Sequence, residues 1–155
     1  MEKSFGKFKI MIASEEHLGY VDEILKTIEV AAAERGTGIA KRKPDYVAKK
    51  MMEGKAIIAL DGDKFAGFCY IESWDHEHFV ANSGLIVKSE YRGHGLAKAI
   101  KQTAFELSRK RFPNAKLFGL TTGAAVMKIN TELGYKPVTF ADLTTGPMFW
   151  KGCES

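Results

Sequence analysis

The sequence predicts an α+β protein with about seven strands and about four helices in a single domain spanning residues 1–155. Three observations predict it. Apolar residues switch along the chain between a spacing of two and a helical spacing, in the order β-α-α-β-β-β-α-β-α-β-β. Asp61-Gly62-Asp63 stands between two apolar runs as a hairpin signal. No linker, repeat or low-complexity tract interrupts the order, and 45% hydrophobic with 27% charged residues is the balance of an ordinary globular chain.

Taken in order, residues 7–14 alternate well enough for a first strand. Ser14 is a natural N-cap for the helix that follows, where Leu18, Val21, Leu25, Ile28 and Ala32 recur on one face until Gly36 stops the run. A basic, glycine-bearing loop leads to Pro44, which opens a shorter helix with Val47, Met51 and Met52 on one side. Residues 55–60 and 64–73 are the hairpin strands, and 79–88 is a fourth strand after the polar turn at 74–78. Leu96, Ile100, Ala104 and Leu107 form the apolar stripe of a long helix that Pro113 ends. A fifth strand at 115–122, a helix at 124–133 stopped by Gly134, and strands at 136–140 and 147–153 complete the expectation.

Net charge is +4 and the isoelectric point about 9.0. The basic residues are scattered among nineteen acidic ones, which suits attraction of a polyanionic small molecule and argues against nucleic acid. With no apolar run of membrane-spanning length and no signal-peptide core, the expectation is a cytoplasmic protein with no membrane partner; a homodimer is compatible with it. Cys69 and Cys153 lie far apart without metal spacing and read as reduced thiols.

Residues 83–102, "SGLIVKSEYRGHGLAKAIKQ", pass from strand to helix through Arg92-Gly93-His94-Gly95. The first N–H groups of a helix lack partners within it and carry partial positive charge, so glycines delivered there let an anion approach the main chain. The spacing Arg92-x-x-Gly95-x-Ala97 lacks the third glycine and early βαβ setting of a dinucleotide fingerprint, and lacks the Gly-Lys-Ser/Thr of a Walker loop. The plainer alternative is a glycine turn with nothing bound.

Arg-x-x-Gly-x-Ala, after a strand ending in Val87 and before a long helix, resembles motif A of the GCN5-related N-acetyltransferases; the element order and "ELGYKPV" extend the likeness to nearly the whole chain. The resemblance implies an α/β/α layered fold whose mixed, mostly antiparallel sheet splays at its centre, with acetyl-CoA as co-substrate and no metal. It further implies that Arg92, Gly93, His94, Gly95, Leu96 and Ala97 hold the pyrophosphate, while Leu85, Ile86 and Val87 line the pantetheine. The tyrosine that commonly protonates the leaving thiolate in that family is replaced here by Asn130, which can hydrogen-bond the sulfur or the pantetheine but cannot act as an acid. Gly123 replaces a common asparagine at the start of the same helix. A thiol leaves readily as thiolate, so loss of the tyrosine does not exclude catalysis.

Transfer to an amine requires a held oxyanion, assigned to main-chain N–H around Val87, and a route for the amine's proton. Candidates for the second task are Glu72, Asp75, His76, Glu77 and His78, with Glu72 acting through water preferred. Residues 74–78 also read as a solvated turn, and His76 with His78 lack the further ligands of a metal site. Residues 33–51 are locally similar to N-acetylglutamate synthases, which implies that Arg42, with Lys41, pairs a substrate carboxylate. The expected partner is a small-molecule amine such as glutamate. Two alternatives stay open, a protein lysine or N-terminal acetyltransferase and a non-catalytic CoA-binding sensor.

Overall fold

A computed structural model describes residues 2–35, 43–74, 76–119 and 129–134. Six strands form one sheet in chain order: β1 (Glu2–Phe5), β2 (Phe8–Ile12), β3 (Ala56–Asp61), β4 (Lys64–Trp74), β5 (Phe79–Val87) and β6 (Lys116–Gly119). Neighbours pair antiparallel up to β5, and β6 joins β5 in parallel after the crossover through α3 (Leu96–Arg111). The described strands number six, not about seven. The expected strands at 136–140 and 147–153 lie outside the described residues. In the other direction, β1 was not expected. Its four residues are almost entirely solvent-facing, so it offers no apolar alternation to read, and its pairing to β2 is a hairpin through Gly6.

Helices cover both faces, as the layered expectation has it. On one face α3 lays Leu96, Ile100, Ala104 and Leu107 over Ile57, Cys69, Ile71 and Val87. On the other, α1 (Val21–Arg35) and α2 (Pro44–Met52) bring Val21, Ile24, Ile28, Val47 and Met51 onto Ile58, Phe68, Tyr70 and Ile86. Ser14 caps as expected, its N–H donating to His17 Nδ1 at 3.0 Å in a capping box. The turns it caps are wound as a 3-10 helix, η1 (Glu15–Tyr20), before α1 begins. Gly19, near that end, has little intrinsic preference for the α ladder.

Two irregularities break the alternation of the central strands. The β3–β4 register shifts between Ala59 and Leu60, opposite Ala66. The β4–β5 register shifts between Phe68 and Tyr70, where β5 carries one extra residue. Gly84 sits in that second bulge at φ +65°, and a Cβ there would come within 2.5 Å of the Tyr70 ring. Both the left-handed backbone and the ring lying across it require glycine. Cys69 is buried, its thiol donating to the Ser83 carbonyl at 3.4 Å, and burial pushes it up to about 11. Cys153 lies outside the described residues.

Candidate functional site

The strand-to-helix turn folds as its glycines demand. Gly93 and Gly95 take φ +85° and +79°, the left-handed region that side-chain-bearing residues rarely adopt, and Gly95 is the N-cap of α3. The helix ladder begins with the Ala99 N–H donating to the Gly95 carbonyl at 3.2 Å, so the N–H groups of Leu96, Ala97 and Lys98 lie ahead of it. Residues 92–95 are exposed, while Leu96 is buried and anchors the helix start in the core. Arg92 turns back on its own strand. Its Nε donates to the Val87 carbonyl at 3.2 Å, and Nη1 pairs with Glu34 of α1 at 2.9 Å. A cleft of about 490 Å³ adjoins this turn, lined by Glu23, Lys26, Thr27, Lys88 and Arg92 among others.

Beside the turn, β6 pairs in parallel with Phe79, Val80, Ala81 and Asn82 over its described residues, which end at Gly119. The Lys88 N–H donates to the Ala66 carbonyl at 2.9 Å, towards β4. By strand alternation the Val87 N–H then points the other way, away from β4, as its carbonyl does in accepting from Arg92. Leu85 is half-buried, and Ile86 and Val87 are buried. The expected cofactor residues 85–87 and 92–97 are thus contiguous along the end of β5 and the N-terminus of α3.

Asn130, in the helical stretch 129–132, is buried at 6% exposure, and its Oδ1 has no hydrogen-bond partner among the described residues. A buried carbonyl without a donor is costly, so this oxygen suits a ligand that brings one. Glu72 lies on β4 opposite Ala81, on the face that α1 and α2 cover. Its Oε1 is 3.1 Å from Nζ of Lys50, a residue that sequence reasoning passed over. Lys50 follows Tyr46 by four positions and sits between Val47 and Met51 on the buried side of α2, and that placement was the available signal. Its Nζ donates to the Ile71 carbonyl at 3.1 Å and lies 5.6 and 5.8 Å from the ring centres of Tyr46 and Tyr70.

Of the other expected site residues, Arg42, Lys41 and Asp75 lie outside the described residues, as do Gly123 and Tyr135. His76, Glu77 and His78 form the exposed β4–β5 turn, with His76 and Glu77 at φ +53° and +65°. Among the described residues no group of three His, Cys, Asp or Glu side chains is placed to hold a metal, and no helix is long and apolar enough to cross a membrane.

Residues 43–128 match the family model described as acetyltransferase (GNAT) family. No curated protein matches the chain significantly. Among solved structures, it is similar to Rv2747 from Mycobacterium tuberculosis in complex with CoA and NLQ, at 15% identity and a TM-score of 0.71 over 94% of this chain and 81% of that one. N-acetylglutamate synthase from Neisseria gonorrhoeae, complexed with coenzyme A and N-acetyl-glutamate, superposes at 13% identity and 0.72 over 98% of this chain but only 32% of the synthase. Ribosomal-protein-S5-alanine acetyltransferase from Vibrio fischeri follows at 12% and 0.69, over 88% and 83%. At these identities the likeness is one of fold.

Proposed function

This chain belongs to the acetyltransferase (GNAT) family, and from that premise we propose that it transfers the acetyl group of acetyl-CoA directly to the amine of a small, carboxylate-bearing acceptor, with glutamate the first to test. The observation that carries the reading is the junction of the left-handed Gly93–Gly95 turn with the end of β5, where the Val87 N–H points away from β4. The N–H groups ahead of the α3 ladder suit a pyrophosphate, with no Cβ at Gly93 or Gly95 to hold it off. The main chain around Val87 suits an extended pantetheine arm, in the manner of an added strand. Asn130 Oδ1 is a buried acceptor for a donor on that arm. Bound acetyl-CoA supplies an activated thioester and a thiolate leaving group.

The chain's own residues then have three tasks. The Val87 N–H, directed away from β4, stabilises the oxyanion that develops on the thioester carbonyl. Glu72, one-third exposed on the opposite face of β4 from α3, receives the acceptor's proton through water. Arg42, with Lys41, pairs the acceptor's carboxylate through the bidentate geometry of guanidinium. The synthase complex with N-acetyl-glutamate supports the choice of glutamate as the first acceptor.

The deciding experiment follows thiol release from acetyl-CoA across a panel of glutamate, other amino acids, polyamines and peptides. Release that depends on an amino acid is the expected result. Release only with peptides would move the reading to protein acetylation. CoA binding with no release for any amine would leave a sensor.

A further inference from the structure

We propose that Lys50 is the final proton acceptor of this site, with Glu72 the relay that hands the acceptor's proton inward to Lys50 Nζ. The inference rests on the transfer reading above and adds to it the group on which the proton comes to rest. The two side chains form an outer and an inner member. The Glu72 side chain is 33% exposed and the Lys50 side chain 7%, with 3.1 Å between Oε1 and Nζ. Nζ is fixed by its hydrogen bond to the Ile71 carbonyl, and the faces of Tyr46 and Tyr70 wall it in. It is therefore held at one place, behind the carboxylate, and cannot swing out to solvent as surface lysines do.

A carboxylate alone is a poor match for this task. An acceptor ammonium is far more basic than Glu72, so a proton moved to an isolated carboxylate would return at once. A neutral lysine amine immediately behind it is far closer to the acceptor in basicity than a carboxylate and makes the transfer much less unfavourable, with thioester attack drawing it forward. Burial pushes the Lys50 ammonium down to about 8, so a usable fraction is neutral near physiological pH.

The charged surroundings are mixed. Lys55 and Lys49 push in the same direction and Glu53 opposes them, while the Glu72 carboxylate stands 3.1 Å from Nζ. The side chains that η1 and α1 send into this layer are Leu18, Tyr20, Val21, Ile24, Leu25 and Ile28, with the Tyr20 hydroxyl donating to the Asp63 carbonyl. The buried imidazole of η1, His17, is engaged by the Ser14 N–H and by Glu16.

The step balances as follows. The acceptor ammonium gives one proton to Glu72, and Glu72 passes it to the neutral Lys50 amine, which becomes ammonium. The freed lone pair attacks the thioester carbonyl, the N–C bond forms, and the C–S bond breaks with its electron pair on sulfur. The second amine proton goes to the thiolate. Lys50 returns its proton to solvent before the next turnover.

The test compares wild-type protein with Lys50→Arg, which keeps the charge and can position Glu72 but does not deprotonate in this range. kcat/KM is measured against pH at saturating acetyl-CoA with two acceptors, glutamate and isoglutamine, whose amine is the less basic. The wild type should show a limb near pH 8 at the same place for both acceptors. Lys50→Arg should lose that limb and about a hundredfold in rate at pH 9, with the KM for acetyl-CoA unchanged. A lysine side-chain NMR titration needs no variant to fold: one resonance should titrate near 8, and it should be missing from Lys50→Arg.

A wild-type profile in Lys50→Arg, or a wild-type spectrum in which no lysine titrates below about 9, overturns the role of Lys50. Absence of amine-dependent thiol release from the wild type is a different failure. It overturns the transfer reading and this proposal with it.

Discussion

The α3 end of the molecule and the α2–β4 face are built on opposite plans. At the α3 turn the proposed cofactor chemistry rests on the main chain: two left-handed glycines, a run of N–H groups ahead of the helix ladder, and the Val87 N–H directed away from β4. Side chains there are mostly structural, Leu96 buried as an anchor and Arg92 tying the turn to Val87 and Glu34. On the α2–β4 face the proposed chemistry rests instead on side chains, Lys50 and Glu72, brought to 3.1 Å from two separate elements. A site of backbone can be damaged at few positions, chiefly its glycines. A site of side chains can be retuned by a single substitution without disturbing the fold, which suits the acceptor role proposed for that face.

The contrast can be broken in a definite order. Glu72→Gln should have the largest effect, lowering kcat by about a hundredfold or more while acetyl-CoA affinity holds, because proton transfer is the task removed. Equal turnover in the two proteins would take Glu72 out of the mechanism. Arg42→Ala should raise the KM for a carboxylate-bearing acceptor ten- to hundredfold, from the roughly 1.5–3 kcal/mol of a charge-assisted hydrogen bond, and Arg42→Lys should recover only part. Gly95→Val should weaken CoA binding by at least about tenfold in calorimetry, since a β-branched residue resists φ +79° and its Cβ crowds the approach to the α3 N–H groups. Unchanged affinity in a folded Gly95→Val protein would dismiss the turn as the anion site.

A smaller effect concerns stability. The Lys50 ammonium ordinarily keeps its proton to 10.5 but in the fold loses it at about 8. Between those values the unfolded chain binds more protons than the native one, so stability rises with pH across that window. Relative to Lys50→Met, wild-type stability should therefore gain on the order of 2 kcal/mol from pH 8 to pH 10.5 in denaturant titrations. A constant difference would mean that the lysine titrates normally. Least affected should be Lys98→Ala, which opens the half-exposed 2.7 Å pair with Glu132 near the glycine turn and should cost under about 1 kcal/mol.

The two plans also explain what was legible in the sequence. Arg92-x-x-Gly95-x-Ala97 announces its own conformation, because glycine spacing at a helix start is a local signal that the backbone then obeys. The apolar stripe of α3 and the hairpin at Asp61-Gly62-Asp63 were readable for the same reason. Lys50 was passed over although its place between Val47 and Met51 was a signal, since a lysine on a short basic helix reads as solvated on composition alone. Glu72 was found as a candidate, but its partner is a tertiary contact that no local pattern encodes. β1 escaped because pairing alone, without an apolar face, leaves no periodic mark.

The paired bulges make β4 and β5 behave like text read in two frames. In β4, even-numbered Ala66 faces the α3 layer, yet Cys69 and Ile71 face it further on, and the parity has changed between them. In β5, Val80 faces α3, but after Gly84 it is Val87 that does so, while Ile86 joins the α1–α2 layer. Each bulge is thus a frameshift in space, and everything downstream of it depends on the count being kept. Deleting one residue at Ala66 would exchange the layers that later β4 side chains occupy and turn Glu72 towards α3, and closing the bulge at Gly84 would do the same to the β5 side chains that follow it. Sequence comparisons in this fold that rely on alternating polarity alone will slip by one place on these two strands, and loop-grafting designs that shorten either strand will invert it.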